Sequence, residues 1–152
     1  MSSVLILGAT SAIAEHLARH YADQGAKIAL VARNRERLQQ TADDLKVRSQ
    51  REVLIREVDF LDHAAQAELI QKSWDGSGGF DIVVIAYGTL DDQTESEQHA
   101  DKAVQSLETN FVSVVHLCTL IANRMEQQGS GSLAVIGSVA GDRGRRSNYV
   151  YG

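Results

Sequence analysis

At 152 residues the chain is long enough to bury a substantial apolar core, since a domain of this size removes roughly two-thirds of its unfolded surface from water. With 43% hydrophobic and 23% charged residues it lies outside the composition of disordered chains, and one folded unit covering residues 1–152 is expected. The net charge of −5 excludes a general attraction to nucleic acid or anionic lipid, which grows with the number of Lys and Arg available to neutralise phosphates.

The start, Met1-Ser2-Ser3, carries no positive charge, and the apolar run Val4-Leu5-Ile6-Leu7 has the length of a strand, too short for a signal peptide or membrane span. A helical period over residues 13–21 is followed by the strand-like Ile28-Ala29-Leu30-Val31. A charged helix is expected around Leu38 and Leu45, then a strand at Val53-Leu54-Ile55 and a helix over residues 64–74. Ile82-Val83-Val84-Ile85 reads as the fourth strand. Residues 95–128 read as one helix or as two joined near Leu107, and Leu133-Ala134-Val135-Ile136 as the fifth strand.

Continuous apolar strands alternating with helices are the pattern of a parallel sheet covered on both faces, because a strand buried on both sides has no polar face to show. A doubly wound, Rossmann-type α/β sheet of about five strands, ordered 3-2-1-4-5, is therefore expected. Gly25, Gly76-Ser77-Gly78-Gly79 and Gly129-Ser130-Gly131-Ser132 supply the turns before the second, fourth and fifth strands. The one cysteine, Cys118, cannot form an internal disulfide. In Val114-Val115-His116-Leu117-Cys118 it reads as a small buried hydrophobe, which suits a reducing, cytoplasmic setting. The five histidines show no metal-ligand spacing.

Directly after the first strand, Gly8-Ala9-Thr10-Ser11-Ala12-Ile13-Ala14 leads into a helix. Free backbone N–H groups and the positive helix end converge at such a turn and suit a pyrophosphate, although an ordinary turn capped by Thr10 or Ser11 has the same look. The second strand ends Ala32-Arg33-Asn34-Arg35, with alanine where an NAD-binding domain usually has a carboxylate for the ribose 2′-hydroxyl. Arg33 can instead pair with a 2′-phosphate, with Asn34 as helper, so NADP(H) is expected over NAD(H). Arg35 and Arg37 read as a solvated helix face.

These motifs together resemble the short-chain dehydrogenase/reductase family over the whole chain. Gly8, Ala12 and Ala14 fall on the three glycines of its T-G-x-x-x-G-x-G turn, and Ile85-Ala86-Tyr87-Gly88 falls on its N-N-A-G. Ser138 and Tyr151, thirteen positions apart, fall on the serine and tyrosine of its Ser…Tyr-x-x-x-Lys set. The resemblance implies an oxidoreductase that interconverts a small-molecule alcohol and carbonyl. Tyr151 would move the proton, with Tyr149 as a rival for the same role. Ser138 would hold the substrate oxygen, and Asn110 would fix a water leading to the lysine.

The same resemblance implies nucleotide contacts from Gly8, Thr10, Ser11, Ala12, Ile13, Ala86 and Gly88. Asp59 would meet the adenine amino group, unless it caps the next helix. The family's lysine, later strands and dimer-forming helix would follow Tyr151. The chain is thus expected to be the N-terminal part of a longer homo-oligomeric enzyme, inactive by itself. The alternative is a nucleotide-binding or scaffold domain of the same fold without chemistry.

Overall fold

The computed structural model describes residues 2–152. Five parallel strands, β1 (Ser3–Leu7), β2 (Lys27–Ala32), β3 (Leu54–Glu57), β4 (Ile82–Ile85) and β5 (Ser132–Val135), lie in the order β3-β2-β1-β4-β5. The expected α/β class and strand order are both present. Successive side chains of a strand point to opposite faces, so Val4 and Ile6 of β1 join one core with Ile28, Leu30 and Val84, while Leu5 and Leu7 join the other with Val83 and Ile85.

On the first face lie α1 (Ala12–Asp23) and α2 (Arg35–Ser49). Ser11 caps α1 by accepting from the Ala14 amide at 3.2 Å. The helix then buries Ala14, Ala18 and Ala22, a stripe at four-residue spacing whose small side chains let its backbone approach the sheet. Asn34 caps α2 through the Arg37 amide at 2.9 Å, and Leu38, Thr41, Ala42 and Leu45 face inward. On the second face lie α3 (His63–Ser77), capped by Asp62, and α6 (Ser113–Gln128). Their Leu69, Ile70, Trp74, Leu117, Ile121 and Met125 complete the second core.

The structure alters three expectations. Burial on both faces holds for β1, β2 and β4 but not for β3 and β5. These are the edge strands, and Leu54, Arg56, Glu57, Ala134 and Val135 are exposed. The long helical region breaks at His99, whose extended backbone separates α4 (Gln93–Gln98) from α5 (Ala100–Leu107). No break occurs near Leu107, where a π-helical turn, Glu108–Val112, carries α5 straight into α6. Cys118 is half-buried rather than enclosed, and burial pushes its thiol pKa up.

One buried polar group joins the second layer together. Gln66 on α3 is fully buried. Its amide nitrogen donates to the Phe60 carbonyl at 2.6 Å and to the Ser113 carbonyl at 3.4 Å, and its oxygen meets His116 Nδ1 at 2.6 Å. Because the amide oxygen can only accept, His116 must carry its proton on Nδ1. Leucine at position 66 would leave the Phe60 carbonyl and the imidazole N–H without partners, and Gln66→Leu is expected to cost about 3 kcal/mol, read from the urea midpoint at constant m-value.

Gly8 holds the other critical position. Its φ is +86°, and a Cβ there would lie 2.6 Å from both the Tyr87 Cβ and the Tyr87 amide nitrogen. Gly8→Ala therefore combines a disfavoured backbone with overlap against β4's exit, and an unfolding free-energy loss of about 3 kcal/mol or more is expected from the same denaturation measurement.

Candidate functional site

Between β1 and β4 the strand order reverses, and the turns leaving the two strands diverge to open a crevice, the place where open α/β sheets hold ligands. Two clefts meet there along a shared wall, Ala86-Tyr87-Gly88-Thr89. One, of about 300 Å³, runs toward β2 and β3. The other, of about 410 Å³, runs toward β5.

The first cleft gathers most of the residues expected to bind nucleotide. Gly8, Thr10, Ser11, Arg33, Asn34, Asp59, Ala86 and Gly88 all line it. Gly8 and Ala9 both donate backbone hydrogen bonds to the Val31 carbonyl, at 2.8 and 3.0 Å, which anchors the turn to β2. The Ser11 side chain takes the Ala14 amide and the Ser11 carbonyl takes the Glu15 amide. The Ala12 and Ile13 amides are first-turn donors with no acceptor within the helix, and they lie at its positive end. Ala12 is exposed, and Ile13, 60% exposed, lines the second cleft rather than the first.

Two local readings are resolved. Ser11, not Thr10, caps α1. Asp59 is not a helix cap, since Asp62 has that place. The Asp59 carboxylate accepts from the Leu61 amide at 3.0 Å, and the residue lines the same cleft as Arg33 and Arg37.

Arg37 keeps the exposure expected of a solvated helix face, with 56% of its side chain accessible, and also reaches the first cleft. Its Nη2 donates to the Thr10 carbonyl at 3.0 Å and lies 3.5 Å from Glu15, and the side chain lines the cleft with Arg33.

The wall between the clefts is stiff. Tyr87 stacks on Phe60 with ring centroids 4.1 Å apart and 4° between planes, and its hydroxyl lies 2.8 Å from Ser113 Oγ. Ser113 gives its own hydrogen to the Thr109 carbonyl, so Tyr87 must be the donor. Burial pushes the Tyr87 phenol above its ordinary pKa, which keeps that donor protonated. Sequence reasoning assigned Tyr87 no role, because its partners come from two distant segments.

Asn110 occupies the π-helical turn. Its side chain clips the backbone of Thr89 at two points, accepting from the amide and donating to the carbonyl, each at 2.8 Å. The carboxamide expected to hold a water is thus occupied with positioning the shared wall. A Cβ on Gly88 would come 3.0 Å from Asn110 Oδ1, so glycine there permits the clip.

Ser138 and Tyr151 line the second cleft together. Ser138 leaves β5 in an extended conformation, and its Oγ accepts from the Ala140 amide at 3.2 Å, which orients the hydroxyl and leaves its hydrogen free to donate. The tyrosine segment is pressed onto the same turn: a Cβ on Gly152 would lie 2.6 Å from the Ala140 carbonyl oxygen. Tyr149 is 53% exposed and lies outside the residues lining the cleft. Among the described residues no group of three or more His, Cys, Asp or Glu could hold a metal, and no helix is long and apolar enough to cross a membrane.

Comparison with known proteins identifies the family and the fold. The family model described as short chain dehydrogenase matches residues 2–152. An uncharacterized oxidoreductase of Mycobacterium tuberculosis is 41% identical over 98% of this chain and 59% of its own length. Another, of Streptomyces coelicolor, is 32% identical over 99% of the chain and 59% of its own length. The chain thus spans 59% of the length of these curated relatives.

Among solved structures, an alcohol dehydrogenase of the archaeon Thermococcus sibiricus complexed with 5-hydroxy-NADP superposes with a TM-score of 0.90. It is 25% identical over 99% of this chain and 64% of its own. Actinorhodin polyketide ketoreductase with NADPH gives 0.88 at 24% identity, covering 99% of this chain and 58% of its own. NAD+-bound xylitol dehydrogenase gives 0.90 at 21%, with the same coverage. The fold is common to all three. With the match running from the first strand through the Ser138 and Tyr151 cleft, the chain belongs to the short chain dehydrogenase family.

Proposed function

We propose that residues 1–152 are the nucleotide-binding unit of an NADP(H)-dependent oxidoreductase that interconverts an alcohol and a carbonyl on a small-molecule substrate. The observation that carries this reading is the shared wall: the cleft on one side is lined by the β1–α1 turn and two arginines, the cleft on the other by Ser138 and Tyr151. A ligand crossing Gly88 would have its phosphates in the first cleft and its reacting end beside both hydroxyls. Solved relatives hold NADPH, NAD+ or 5-hydroxy-NADP, so the fold accepts both nicotinamide nucleotides, and the preference rests on this chain's own side chains.

The donor set fits such a nucleotide. The Ala12 and Ile13 amides suit the pyrophosphate, and the small Gly8 and Gly88 allow a close backbone approach. Arg33 suits a 2′-phosphate, and Ala32 offers no carboxylate to repel it. A bound nicotinamide supplies or accepts the hydride. The protein's own part is acid–base and electrostatic. Tyr151 exchanges a proton with the substrate oxygen through its hydroxyl, and Ser138 donates a hydrogen bond to the same oxygen, limiting its charge as the carbon centre changes. Asn110 acts behind these groups by fixing Thr89 and hence the wall on which the ring would rest.

Two substitutions separate the parts of this proposal. Arg33→Asp is expected to weaken NADPH binding at least about tenfold more than NADH binding, since it replaces a charge-assisted contact by repulsion. Fluorescence titration of both nucleotides reads this, and an unchanged ratio removes Arg33 from the site. In the full-length protein Tyr151→Phe is expected to lower kcat by a factor of about 10² to 10⁴ with nucleotide affinity unaltered. Residues 1–152 alone are expected to bind nucleotide without useful turnover, whereas tight binding without turnover in the full-length protein, across alcohol and carbonyl panels, would favour a binding or scaffold domain.

A further inference from the structure

The segment that carries Tyr151 is joined to the rest of the fold at few points. Among the described residues, one hydrogen bond alone links residues 142–152 to groups outside residues 138–152: the Val150 amide donates to Gln93 Oε1 at 3.2 Å. Within the segment the Gly152 amide donates to the Asn148 carbonyl at 2.9 Å, the bond of one helical turn. The Val150 amide is then a first-turn donor with no acceptor inside that turn. Asn148 is of a type that caps such turns with its own side chain, but its Oδ1 is buried and accepts no hydrogen bond. Gln93 serves instead, from 57 positions earlier in the chain.

Gln93 is itself held in place. It is the first residue of α4, which Asp92 caps through the Glu95 amide at 3.0 Å. Its Nε2 donates to Glu97 Oε2 at 3.4 Å. Because that carboxylate only accepts and the Val150 amide only donates, both ends of the Gln93 carboxamide are assigned. Just before the Asp92 cap lies Thr89, whose backbone Asn110 clips at two points. The short stretch from Thr89 to Gln93 thus ties the wall between the clefts to the tyrosine segment.

We propose that Gln93 is a positioning residue, which through the Val150 amide sets where the Tyr151 hydroxyl stands relative to the shared wall. The proposal rests on the oxidoreductase reading above and deepens it. Gln93 lines neither of the two clefts, so its effect on the reaction passes through Tyr151. Misplacing a reacting group by about 1 Å can cost about a hundredfold in rate. The close seat of Gly152 against the Ala140 carbonyl limits how far the segment can drift once the Gln93 bond is lost, so a smaller loss is expected.

The test uses the full-length protein, NADPH and the carbonyl panel. Gln93→Met keeps the length of the side chain and removes the acceptor, and kcat should fall about tenfold while the KM for NADPH stays within about twofold. In a Tyr151→Phe background the same substitution should cost less than about twofold further, because no hydroxyl remains to be misplaced. Gln93→Glu combined with Glu97→Gln preserves the net charge, the acceptor and the pair along α4, and should restore kcat to within about threefold of wild type. Wild-type kcat in Gln93→Met, or an equal loss on the Tyr151→Phe background, would overturn the proposal. So would a KM for NADPH that rises as far as kcat falls, or a failed rescue by the exchanged pair. If the wild-type full-length protein turns over no substrate, the oxidoreductase reading itself fails and this one with it.

Discussion

Everything at the site depends on how closely two chain segments pass at the point where the strand order reverses. Gly8 leaves β1 directly against the backbone leaving β4, with no room for even one methyl group between them. This contact fixes the height of the turn between β1 and α1 relative to the shared wall, and therefore the relation between the two clefts. Hydrogen bonds from Gly8 and Ala9 to the Val31 carbonyl extend the constraint to β2, so three strand ends are held by one turn. The small residues that follow act in the same direction, since Ala14 and Ala18 let α1 sit near the sheet and bring its positive end to the crevice.

The architecture was legible because burial on both faces writes itself as unbroken apolar runs, as in Val4-Leu5-Ile6-Leu7 and Ile82-Val83-Val84-Ile85. It was less legible at the edges. In β3 the strand continues past Ile55 through Arg56 and Glu57, whose charges conceal it from an apolar pattern. In the long helical region, propensity cannot reveal a π-helical turn, because its cause is tertiary: Asn110 is drawn to the Thr89 backbone, and the helix accommodates the extra residue without stopping.

The site divides in the same way. Gly8, Ser138 and Tyr151 stood out because each sits at a fixed offset from a strand end or from another motif member. Arg37 did not, because an arginine in a charged helix start looks the same whether it faces water or a cleft, and only the position of the Thr10 carbonyl distinguishes the two. Tyr87 was hidden for a related reason. Its stacking partner and its hydrogen-bond acceptor lie in segments separated by about a third of the chain, and only the fold brings them to one place.

The Gln66 carboxamide lies one step behind that wall, since Phe60 both accepts from it and stacks on Tyr87. His116 stacks against His63 with centroids 4.6 Å apart. One carboxamide thus joins the Phe60 segment, α3 and α6, so a change in any of the three reaches the ring on which Tyr87 rests.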